Sequence, residues 1–168
     1  MNPIQIHLVT NHIAIVGYIF IILIGCLAII FRVVQYRYLV YGLTLVCSVV
    51  GGLSYFSGQK AMEQKYQMVL DNTDLRENII NLKTNSYLRQ EECFSRIALE
   101  KHEAMAEIAL IFFSMDLILA FIGIVSCLKW PMLEKFLFGI LLLLLSISTF
   151  WIIQMAHEGG KINHSALR

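Results

Sequence analysis

The stretch IAIVGYIFIILIGCLAIIF, residues 13–31, contains no Lys, Arg, Asp or Glu, and neither does anything before it. An α-helix rises 1.5 Å per residue, so about 20 apolar residues cross the roughly 30 Å of hydrocarbon in a bilayer. This segment is long enough to span. Working outward, 38–56, 104–128 and 132–155 meet the same length and polarity, and no other part of the chain does. The whole sequence is 58% hydrophobic and only 15% charged, with a mean hydropathy of +0.69. A soluble domain is nearer half apolar and a quarter charged. The first stretch does not read as a cleavable signal, because residues 1–12 lack a basic n-region and the apolar run is long for an h-region.

Short polar links join the spans in pairs, over 32–37 and 129–131, and short links force antiparallel neighbours. Pro131 suits the first turn of a new helix. The longer connection, about 58–103, is too charged for lipid. It has helical spacing over 61–70 and 75–82, a break at Asn72-Thr73-Asp74, and helical spacing again from about Ser86 into the third span. The expected fold is all-α: an integral membrane antiparallel four-helix bundle, one membrane domain over 1–168, with a partly helical extramembrane connection between helices 2 and 3. No fixed-period repeat is visible, although the two hairpins give a weak two-fold pattern.

A net charge of +1 argues against a nucleic-acid partner. Cys26, Cys47, Cys93 and Cys127 have neither metal nor redox spacing and read as small apolar residues. Gly17, Gly25, Gly51, Gly52, Ser54, Ser57 and Gly58 read as points of close helix approach. No nucleophile–base set is present, so hydrolase chemistry is not expected and no catalytic residue is assigned.

Four crossings bring the start of span one, the end of span two, the start of span three and the end of span four to one membrane face. All five histidines belong to that face: His7 and His12 at span one, His102 at span three, His157 and His164 at the end of span four. Glu100, Glu103, Glu107 and Glu158 gather with them. On span three, His102, Ala106, Ala109, Phe113 and Asp116 fall near one helical stripe. Asp116 is therefore deep in the membrane, where an ionisable group normally faces the bundle interior. It lies roughly 21 Å along the axis from His102, too far to share a ligand set, and is assigned to packing or to a proton or water path. On span four, Ser146, Phe150, Ile153 and His157 form a similar stripe. Gly159-Gly160 is expected to break the fourth helix and fold Lys161 to His164 back over the bundle end.

Inward histidines on facing helices are how bundles build cofactor sites. Asn11-His12-Ile13-Ala14-Ile15-Val16-Gly17 resembles the Asn-His-x-Pro-x-x-Gly opening of a group of small four-helix bacterial membrane proteins, in which another histidine often precedes by five residues, as His7 does. His102-Glu103 matches the group's His-Glu pair, and Gly159-Gly160-Lys161-Ile162-Asn163-His164 its closing Gly-Gly-x-Ile-x-His. The group is similar to predicted membrane domains that accompany c-type cytochrome modules. Ala14 stands where the group has proline, and Ser165-Ala166 where it has an acidic residue. The resemblance implies a site of His7, His12, His102, Glu103 and His164.

The functional expectation is a His-ligated cofactor protein of the bacterial inner (cytoplasmic) membrane. Haem b, clamped by two histidines from different helices and walled by Phe112, Phe113, Phe150 and Trp151, would serve electron transfer. His12, His102 and His164 are the main ligand candidates, with His7 as the fourth. The alternatives are a divalent transition metal (Zn, Cu or Fe) on His7, His12, His102, Glu103 and His164, or a structural accessory subunit of a larger membrane complex. Glu103 suits orientation of an imidazole; His157, Glu158, Glu107 and Asp116 are outer or unassigned candidates. The expected partners are the lipid bilayer and a redox protein such as a c-type cytochrome or respiratory complex; an oligomer is compatible. Arg32, Arg37, Lys129 and Lys135 crowd the short links, and dense basic links stay cytoplasmic. The histidine face is then periplasmic, although by raw number that face carries more basic residues.

Overall fold

The computed structural model describes the backbone of residues 3–71 and 86–165 and the side chains of 5–61 and 101–158. Within them the chain forms four helices: α1 (Pro3–Phe31), α2 (Val34–Asp71), α3 (Ser86–Lys129) and α4 (Pro131–Ser165). Each contains a segment long and apolar enough to cross a membrane: Gln5–Phe31, Val34–Ala61, Lys101–Lys129 and Pro131–Glu158. In lipid the backbone has no water to bond, so helices that satisfy their own peptide groups are the available solution. The protein is a multi-pass membrane protein, an antiparallel four-helix bundle with its apolar side chains turned outward as well as inward. Val16, Phe20, Ile30, Phe121, Phe136 and Leu143 are all more than half exposed, a surface suited to acyl chains and not to water.

The links are tighter than the sequence suggests. Only Arg32 and Val33 separate α1 from α2, and Arg32 adopts a left-handed φ of 55° to reverse the chain. Trp130 alone separates α3 from α4. Its N–H still bonds back to Ser126 (2.8 Å), and its carbonyl accepts the first bond of α4 from Glu134 (3.0 Å), with Pro131 at the first helical position.

On the other side α2 and α3 do not stop at the membrane. At 38 and 44 residues they extend roughly 57 and 66 Å, so much of the connection is their own continuation, through Asp71 and from Ser86. The expected helix over 75–82 and the break at 72–74 lie outside the described residues. α4 corrects one expectation: it runs unbroken through Gly159 and Gly160 to Ser165. A helical glycine costs about 1 kcal/mol relative to alanine, which weakens a helix without forbidding it.

Helix α1 packs on α2 and α4, and α3 packs on the same two. The pairs α1/α3 and α2/α4 are therefore the diagonals. One constant shift along the chain carries His7 onto His102, and the buried Ala14, Tyr18, Ile21, Gly25 and Ala28 onto the buried Ala109, Phe113, Asp116, Ala120 and Gly123. A nearly equal shift carries Arg37, Tyr41 and Thr44 of α2 onto Glu134, Phe138 and Leu141 of α4. The two hairpins thus repeat one pattern of buried positions, an approximate two-fold arrangement of the bundle. Across each diagonal an aromatic pair meets edge to face: Tyr18 with Phe113 (centroids 5.6 Å apart) and Tyr41 with Phe138 (5.7 Å).

Candidate functional site

Polar groups are stacked along the bundle in three layers. The first is at the histidine end. His7 Nδ1 lies 2.9 Å from the main-chain carbonyl of Ser54 on α2. His102 Nδ1 lies 3.0 Å from the carbonyl of Met155 on α4. A carbonyl only accepts, so in both rings Nδ1 carries the proton and Nε2 keeps its lone pair. Among the described residues neither Nε2 has a hydrogen-bond partner. The His7 ring fits because residue 58 is glycine: a Cβ there would stand 2.9 Å from the ring's Cε1. Both rings are part-buried, at equivalent positions of the two repeats and at the same end of the bundle. His102 is within electrostatic reach of His7, Glu103 and Glu158.

The remaining candidates are placed differently. His12 lies on the outer surface of α1, its Nδ1 bonded 2.8 Å away to Leu8 of its own helix, so it does not point across the bundle. His157 is exposed on α4, as are Glu103 and Glu107 on α3; Glu158 is half-buried. The expected stripe Ser146, Phe150, Ile153 and His157 faces outward, and the inward stripe of α4 is Leu141, Leu145, Ser148, Ile152 and Met155. Of the proposed aromatic walls, Phe113 is buried against Tyr18, Phe112 and Trp151 are half-buried, and Phe150 is turned to the lipid side. His164 belongs to α4 by its backbone; its side chain lies outside the described residues. Among the described residues no three His, Cys, Asp or Glu side chains come together as a metal would require.

The second layer is at mid-membrane. Asp116 is fully buried, and its Oδ2 accepts hydrogen bonds from Tyr18 Oη (2.9 Å) and Ser148 Oγ (2.8 Å). Tyr18 Oη also lies 3.1 Å from Ser48 Oγ. Each of the four helices thus contributes one member. The stripe running from His102 to Asp116 does face inward: Ala109, Phe113 and Asp116 are buried, and His102 and Ala106 partly so.

The third layer, near the short links, was invisible in the sequence. Arg37 of α2 donates through Nη1 to Oε2 of the buried Glu134 on α4, closing the second diagonal. Tyr41 Oη approaches the Glu134 carbonyl at 3.4 Å. Glu134 stands in the first turn after Pro131, where it reads as an ordinary surface charge favoured by the helix dipole. Tyr18, Ser48 and Ser148 are single polar tips in apolar runs; only their facing Asp116 distinguishes them.

No protein-family model, curated protein or solved structure matches the chain.

Proposed function

We propose that the protein holds a cofactor between the imidazoles of His7 and His102, with haem b as the bound group and electron transfer at one membrane face as its role. The observation that carries this reading is the matched anchoring of the two rings. Each Nδ1–H is fixed on a main-chain carbonyl of the neighbouring helix, the arrangement that orients a ligating imidazole and leaves Nε2 for the metal. The two rings descend from diagonal helices in an approximate two-fold arrangement, which suits a group bound symmetrically from both sides. Two ligands are enough for haem, whose macrocycle supplies the equatorial positions, whereas a bare metal ion would need further ligands. A non-haem site therefore requires side chains outside the described residues, His164 among them.

The resemblance of the histidine motifs to a family of small bacterial membrane proteins supports the bacterial inner membrane and a partner such as a c-type cytochrome. Since Arg37 is neutralised by Glu134, the exposed Arg32, Lys129 and Lys135 carry the argument for a periplasmic histidine face. A reporter fused after Arg168 that is active only in the cytoplasm would reverse that orientation.

Single alanine substitutions, read by cofactor content after purification, test the ligand assignment. His7→Ala and His102→Ala should each lose the cofactor, while His12→Ala and His157→Ala keep it. Retention in both His7→Ala and His102→Ala refutes it.

A further inference from the structure

Among the described residues Asp116 is the one fully buried acid of the bundle centre, and its hydrogen bonds have an unusual property. Both groups bonded to its Oδ2 have a second acceptor already in place. Ser148 Oγ lies 2.8 Å from Asp116 Oδ2 and 2.9 Å from the carbonyl of Leu144 on its own helix. Tyr18 Oη lies 2.9 Å from Oδ2 and 3.1 Å from Ser48 Oγ. A hydroxyl has one proton to donate, so each can serve only one acceptor at a time. Two complete arrangements follow from the same heavy-atom positions. In one, Asp116 is a carboxylate and both hydroxyls donate to it. In the other, Asp116 is an acid whose Oδ2 proton is donated to Ser148 Oγ, Ser148 donates to Leu144, and Tyr18 still donates to Oδ2.

The surroundings decide which arrangement prevails at rest. Asp116 Oδ1 is buried and has no hydrogen-bond partner among the described residues. An ionised carboxylate with one bare oxygen in the low-dielectric centre of a membrane protein is strongly disfavoured, while the carbonyl oxygen of a neutral acid tolerates that position far better. Among the described residues no cation offsets the charge: the titratable groups facing the cluster are Tyr18 from α1 and Cys47 from α2, and α4 brings the hydroxyl of Ser148.

We propose that Asp116 is a proton-binding site at the centre of the bundle, protonated at rest and giving its proton up to the water outside as the pH rises, with both charge states satisfied by the same heavy-atom positions because Ser148 can turn between Asp116 and Leu144 as acceptors while Tyr18 donates in both. Its ligand is a single proton. Because Tyr18, Ser48, Asp116 and Ser148 come from the four different helices, the proton's presence is felt by all of them. The proposal is independent of the cofactor reading, since none of these groups touches His7 or His102.

Infrared spectroscopy of the purified protein in lipid or detergent tests it. The wild type at neutral pH should show a carbonyl stretch of a protonated carboxylic acid. That band should be absent from D116N and present in the double variant R37L/E134L, which removes the other buried acid together with its partner. It should fade as the pH is raised while the helical amide bands hold. A wild type without the band, a band that survives in D116N, or a band unchanged at every pH at which the helices persist would each overturn the proposal; the first and third arms need no variant to fold.

Discussion

Tyr18 on α1 donates its hydroxyl to Asp116 on the diagonal helix α3, 2.9 Å away, while its ring packs edge to face on Phe113 one turn above. The polar and apolar halves of one side chain thus close the same diagonal. Tyr18→Phe keeps the ring contact and removes the hydroxyl. It should destabilise the bundle by about 1–3 kcal/mol, the cost of leaving a buried acceptor short of a donor. Combined with Asp116→Asn it should give less than the sum of the single effects, since the two share one network. Reversible unfolding in mixed micelles measures both; strict additivity would show that the bond contributes nothing.

The Arg37–Glu134 pair closes the other diagonal near the short links. Removing one partner strands a buried charge, which costs about 3–5 kcal/mol, whereas replacing both by apolar residues of similar size is often near neutral. Arg37→Leu and Glu134→Leu should therefore each be poorly folded, and the double variant should recover most of the stability. Yield of monodisperse protein and unfolding midpoint provide the comparison. A double variant worse than either single one contradicts a simple charge pair.

Gly51 and Gly52 are neighbours with opposite surroundings. A Cβ at Gly51 would stand 2.6 Å from the Phe113 ring, while at Gly52 it would meet nothing within 4 Å. Gly51→Ala should destabilise by about 1–3 kcal/mol through overpacking. Gly52→Ala should be neutral or slightly stabilising, by up to about 1 kcal/mol from helix propensity. Equal effects at the two positions would place the α2–α3 contact elsewhere.

Cysteine labelling in a cysteine-free background checks the membrane arrangement. Positions 34 and 130 should react from one side of the membrane, and positions 5, 70 and 160 from the other. Any mixing of the two sets contradicts four crossings.

The number and pairing of the helices were legible because they depend on sums over many residues. An uncharged run of sufficient length has one stable answer in lipid, and a short link has one direction. The inward stripe of α3 was legible as well, because Asp116 marks it. The inward face of α4 was not. That helix is apolar on every side, so Ser146 and Ser148 are equivalent by periodicity, and only the position of Asp116 opposite selects Ser148. His12 misled for a related reason. A histidine near a helix start can turn its ring to its own preceding turn, as His12 does toward Leu8, or across to another helix, as His7 does toward Ser54; spacing alone does not distinguish them. The repeat relating the hairpins emerges from buried positions, not from residue identity: Ile21 corresponds to Asp116 and Arg37 to Glu134.

The most direct test of the proposed function is the absorption spectrum of the wild-type protein, purified in detergent from cells supplied with haem precursor, recorded oxidised and reduced and accompanied by a pyridine haemochrome assay and metal analysis. The account predicts the Soret and α bands of a low-spin haem with two imidazole ligands, and haem b in stoichiometric amount. A protein with no Soret absorbance would remove haem from the account, and one that also carried no stoichiometric transition metal would contradict the cofactor site at His7 and His102 altogether.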